Sequence, residues 1–153
     1  MSVVFTYLLK VRYCECDAQQ VVFNARYGDY VDTASTEFFR AVFGDYKNLL
    51  ARGLDCQVVK QTTQWKTSAR FDDVLAIAVR ATQVGTSSFT LVFELLNHAT
   101  GATVAQCETV YVMVHAADFT KTPVPDDIRE RLLQGAPGVI INHAGVPLAD
   151  AFS

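Results

Sequence analysis

The order of its sequence periods constrains this chain more than any other feature. One helix-period segment, Asn24 to about Phe43, follows a single strand-like run and precedes four more. Within it, Tyr27, Tyr30, Val31, Ala34, Phe38, Ala41 and Val42 repeat at the i, i+3, i+4, i+7 spacing of a helix. Asn24 is a good N-cap type, Asp29 and Asp32 lie early, where the helix dipole favours anions, and Gly44 stops the pattern. Ahead of it, Val3 to Tyr13 is rich in β-branched and aromatic residues and reads as a strand. Behind it, Asp45 to Arg52 reads as a short helix ending at Gly53.

Four strand-like runs then follow: Leu54 to Thr67, Val74 to Val84, Ser88 to Leu96 and Ala102 to His115. Short polar breaks separate them, "SARFDD", "GTS" and "NHATG", so they read as an antiparallel meander. A last helix starts near Pro125, carries Ile128, Leu132 and Leu133, and ends at Gly135. The pattern is α+β. The long helix is apolar over more than one face, so the expectation is a five-stranded antiparallel sheet wrapped around one long central helix. Residues 1–135 form that domain, and residues 136–153 have no clear period and read as an extended C-terminal tail. An open sheet leaves edge strands, which pairing between two chains would protect.

At 153 residues and half hydrophobic, the chain suits one domain around one core. Net charge is -3, with Lys and Arg scattered singly, so nucleic acid is not an expected partner. No apolar run approaches the roughly 18–20 residues a membrane span needs. The opening "MSVVFTYLLKVRY" lacks a basic region and a cleavage site, so it reads as a strand, not a signal peptide, and the expected location is cytoplasmic. Cys14, Cys16, Cys56 and Cys107 match no common zinc spacing, so no metal or other cofactor is expected.

The stretch "RYCECDAQQVVFNARYGDYVDTASTEFFR", Arg12 to Arg40, carries a resemblance. It is similar to the opening of the 4-hydroxybenzoyl-CoA thioesterase/YbgC-type family of hotdog acyl-CoA thioesterases. The shared features are a tyrosine, an acidic pair, a D-x-x-G-x-V segment, and an aromatic or His shortly before a tyrosine in the helix. Here these are Tyr13, Glu15 with Asp17, "DAQQVV", Asn24 and Tyr27. "SARFDD", Ser68 to Asp73, resembles the family's second recurrent stretch. The resemblance covers about Val3 to Leu133 and implies the hotdog fold, an acyl-CoA thioesterase, and a homodimer or homotetramer with its site between two subunits. Two departures stand out. Gln20 replaces a glycine suited to a tight turn, and Asn24 replaces a residue that is often His.

The chemistry fits those parts. Thioester hydrolysis needs a nucleophile or an activated water, and a donor for the oxyanion. A helix N-terminus offers N–H groups with no partner in the helix and a partial positive charge. The resemblance therefore implies Asp17 as nucleophile or general base and a backbone N–H at or beside Asn24 as oxyanion donor, with Tyr13 nearby. Val21, Val22 and Phe23 would line the acyl site with Tyr27, and Arg70 would meet a CoA phosphate. Glu15 reads as a structural or solvated acid, because one carboxylate suffices. Tyr13 also reads as packing, and Tyr27 and Tyr30, at helical spacing, as core. His98, His115 and His143 have no partner residues nearby in sequence, and no serine sits in a G-x-S-x-G context.

Two other activities share these residues. A dehydratase or hydratase acting on acyl thioesters would pair the acid with a histidine, and Asn24 fills that slot. A non-catalytic acyl-thioester binding protein would keep the pocket without turnover, and Gln20 and Asn24 leave room for it. The residues do not separate CoA from acyl carrier protein, although net charge -3 disfavours an acidic carrier.

Overall fold

A computed structural model of the protein describes residues 4–147. The Val3 start expected for the first strand and the end of the tail, 148–153, lie outside the described residues. Strand β1 is Phe5–Lys10, and a 3-10 turn at Tyr13–Glu15 follows it. The helix-period segment forms α1, Arg26–Phe43, closed by Gly44 at φ 82°. Helix α2, Tyr46–Ala51, is capped by the Asp45 side chain, which accepts the Lys47 N–H. The later strands are β2 Leu54–Trp65, β3 Val74–Val84, β4 Ser88–Asn97 and β5 Thr103–His115. Helix α3 is Asp126–Gln134, and β6 is Ile140–Asn142.

Three expectations are corrected. The sheet has six strands in the order β2-β5-β4-β3-β1-β6, not five, and it is mixed. Strand β6 arises from the segment expected to run as a tail and lies parallel to β1. Backbone pairing drives this: Thr6 N–H donates to Val139 O at 3.0 Å and His143 N–H to Leu8 O at 2.9 Å. The meander is also shorter than expected. Strands β3, β4 and β5 form it, but β2 pairs with β5 at the far edge, Leu54 opposite His115 and Trp65 opposite Ala105. The link 66–73 is therefore a crossing from the β2 edge to β3, which pairs with β1.

The alternating residues of the strands bury one face against α1. Leu75, Ile77 and Val79 of β3, Phe89, Leu91, Phe93 and Leu95 of β4, and Tyr111 and Met113 of β5 are all buried. Phe38 of α1 is fully buried and meets Phe5 of β1 edge-on, ring centres 5.5 Å apart. Phe39 packs on Phe43, Phe89 and Tyr111. Each such side chain contributes about 1.5–3 kcal/mol by leaving water. Strand β2 behaves differently. Most of its residues are exposed, Val58, Val59 and Trp65 among them, and its register slips between Val58 and Lys60.

Candidate active site

The segment between β1 and α1 is folded by its own hydrogen bonds. Cys16 and Val22 form an antiparallel bridge, and Asp17 N–H donates to Val21 O at 2.9 Å. The turn closes with Gln20 N–H on Asp17 O at 2.9 Å, and Gln20 takes the left-handed backbone, φ 65°, that a glycine would adopt freely. Asp17 thus sits at the neck of a small hairpin. Its Oδ1 accepts the Gln19 N–H at 2.8 Å, and its Oδ2 has no partner among the described residues.

The hairpin leans on the crossing link. Val22 N–H donates to Ala69 O at 2.8 Å, and Val21 bridges Arg70. Val11 N–H donates to Asp73 O at 2.8 Å, and Asp72 N–H donates to Val11 O at 3.1 Å. Fifty residues apart in order of magnitude, the two stretches "RYCECDAQQVVFN" and "SARFDD" are brought side by side by these bonds.

Helix α1 begins one residue later than the Asn24 cap would place it. Ala25 occupies the N-cap position with helical dihedrals, and no side chain caps it. Asn24 already belongs to the entering turn, in which Arg26 N–H donates to Phe23 O at 2.8 Å. The backbone N–H groups of Asn24 and Ala25 find no acceptor among the described residues. They remain open at the positive end of an 18-residue helix.

Glu15 is buried, and its carboxylate is fully engaged. Oε1 accepts Arg12 N–H at 2.7 Å and the Tyr30 hydroxyl at 3.0 Å; Oε2 accepts Arg12 Nε at 3.3 Å and Nη2 at 3.2 Å. Burial, then the bond to Glu15, pushes the Tyr30 phenol well above its ordinary range, so it stays a donor.

The other expected site residues separate by environment. Tyr13 is 80% exposed and meets exposed Phe71 edge-on at 5.7 Å. Of the apolar run, Val22 is buried, Val21 half-buried and Phe23 exposed. Tyr27 is buried, and its hydroxyl accepts the Ala69 N–H at 3.3 Å while its ring meets Trp65 edge-on. Arg70 is exposed, its backbone N–H held by Asp73 Oδ2 at 2.9 Å, and its guanidinium has no ion pair among the described residues. Among the described residues no histidine hydrogen-bonds Asp17; His143 Nδ1 instead meets the Tyr7 hydroxyl at 2.9 Å, beside β6. A cavity of about 660 Å³ lies elsewhere, lined by Lys60, Arg80, Glu94 and Glu108 among others, and none of the candidate site residues touches it. Sequence reasoning missed Phe71 as the partner of Tyr13. Its signal was present, as the aromatic of "SARFDD".

A single sheet packed on one long helix is the arrangement of the hotdog thioester hydrolases. A family model described as "Thioesterase-like superfamily" matches residues 11–132, and the chain belongs to that family. It is 26% identical over 127 residues to the acyl-CoA thioester hydrolase YbgC of Escherichia coli O6:H1, covering 83% of this chain and 94% of that one. Among solved structures it resembles YbaW of Escherichia coli, titled a probable thioesterase, with a TM-score of 0.76, 22% identity, and coverage of 86% and 98% of the two chains. It also resembles Slr0204 of Synechocystis, a 1,4-dihydroxy-2-naphthoyl-CoA thioesterase, with a TM-score of 0.75, 17% identity, and coverage of 86% and 96%. No helix among the described residues is long and apolar enough to cross a membrane.

Proposed function

We propose that the protein is a cytoplasmic acyl-CoA thioesterase in which Asp17 is the nucleophile or the general base. The observation that carries this reading is that one loop holds both a half-exposed carboxylate with an open oxygen and, among the described residues, the unpartnered N–H groups of Asn24 and Ala25. In the nucleophilic route, Asp17 Oδ2 attacks the thioester carbonyl carbon, and the carbonyl electrons move to the oxygen, which the Asn24 or Ala25 N–H stabilises. Collapse expels CoA as a thiolate, a good leaving group. Water then cleaves the anhydride, restoring Asp17 and releasing the acid. In the general-base route, Asp17 takes a proton from water, and the resulting hydroxide attacks the same carbon.

The rest of the reading follows from the surroundings. Residues 1–135 supply the catalytic residues, and β6 completes the edge of their sheet. Two copies pair along the exposed edge of β2, with the acyl group held by Val21, Val22, Phe23 and Tyr27 near the subunit boundary. Tyr13 lies at the rim. Arg70, without an ion pair, receives a phosphate of the carrier.

The test is hydrolysis of short, long and aromatic acyl-CoAs by the wild type and Asp17→Asn. Turnover reduced about 10²–10⁴-fold in a folded variant is expected. Unchanged turnover would remove Asp17 from the chemistry. Tight binding without turnover by both proteins would make this an acyl-thioester binder.

A further inference from the structure

We infer that Glu15, acting through Tyr30, is the positioning residue that sets the distance between the Asp17 carboxylate and the open N–H groups at the mouth of α1. The inference rests on the thioesterase reading and adds a residue that takes no part in the bond changes.

Glu15 touches both halves of the site. Its carboxylate holds Arg12, at the exit of β1, and Tyr30, on the helix. Its backbone carbonyl accepts the Phe23 N–H at 3.0 Å, immediately before Asn24. Asp17 lies two residues after Glu15, and its hairpin returns to this point. One residue thus fixes the end of the strand, the helix and both arms of the loop. A carboxylate suits the position, because four donors converge on two oxygens. Glutamine would turn an N–H₂ group toward one pair of them and leave donors facing a donor. Glu15 cannot exchange roles with Asp17: it is buried and its oxygens are occupied, whereas Asp17 Oδ2 is open.

Misplacement by about 1 Å costs catalysis up to 10²-fold without touching substrate contacts. Glu15→Gln and Tyr30→Phe are therefore expected to lower kcat by about ten- to a hundredfold, with KM changed less than about twofold. The double variant should fall no further than the worse single one, since both cut the same link. Hydrogen exchange provides a readout independent of turnover: amides of residues 16–25 should exchange faster in Tyr30→Phe, while those of β3 to β5 keep their protection. The inference is overturned if kcat holds in both variants, if the two losses multiply, or if exchange at 16–25 is unchanged. A wild type without turnover would sink the thioesterase reading, and the exchange measurement would still decide whether Glu15 and Tyr30 hold the loop.

Discussion

Gln20 carries a local backbone cost that it shares with Asp72 and Phe119, the other non-glycine residues at positive φ among those described. At φ 65° its side chain is crowded against its own backbone, and the hairpin at Asp17 requires that conformation. Gln20→Gly should raise stability by about 0.5–1 kcal/mol, read as a higher denaturation midpoint at unchanged slope; a fall would mean that the greater freedom of the unfolded glycine outweighs the relief. The residue scale is also where sequence was least informative about roles. Glu15 and Asp17 look alike as an acidic pair; the family resemblance alone separated their roles, and burial and donor count now distinguish them physically. The tight turn was legible from the family pattern, but whether Gln20 would keep the glycine's backbone was not; it does, at φ 65°. The failure of Asn24 to cap was not, because a turn entered from Phe23 leaves the same residue types in the same order.

At the scale of elements, periodicity did most of the work. Helix α1, the short α2 and the strands β3 to β5 follow from apolar spacing and from glycine or polar stops. Strand β6 escaped because three residues make no period; β1 beside it supplies the reason to extend. The place of β2 escaped because nothing in "SARFDD" distinguishes a tight turn from a crossing. Long-range charge pairing also lies beyond sequence pattern. Arg52, after α2, makes two hydrogen bonds to Asp127 of α3, at 2.7 and 3.1 Å. That bonding holds the Asp127 carboxyl below its usual range. A depressed folded value means stability that is present above the ordinary Asp range and lost as pH falls through the folded one. Both side chains are about half exposed, so screening keeps the effect small. Arg52→Ala should cost no more than about 1 kcal/mol near neutral pH and nothing in strong acid, as compared by urea melts at the two pH values. An equal loss at both would assign the effect to packing.

At the scale of the molecule, the two sides of the sheet differ. Strand β2 runs twelve residues with apolar side chains exposed, a length and character that isolated edges avoid. The α+β class and the single sheet around one helix were legible from the order of periods, whereas the strand order was not. If two copies join along β2, Val59→Lys should shift sedimentation from the pair toward the single chain, with the circular dichroism spectrum retained, and turnover should fall with it. A variant that sediments like the wild type would place the subunit contact elsewhere.

At the opposite side, three residues of β6 cover β1 and present too short a ladder to recruit another strand. In the language of polymer chemistry, a sheet with two reactive ends is a bifunctional monomer and grows into a fibre. If it couples through β2, this sheet is monofunctional among the described residues: one coupling would consume that edge, and growth along the sheet would stop at the pair.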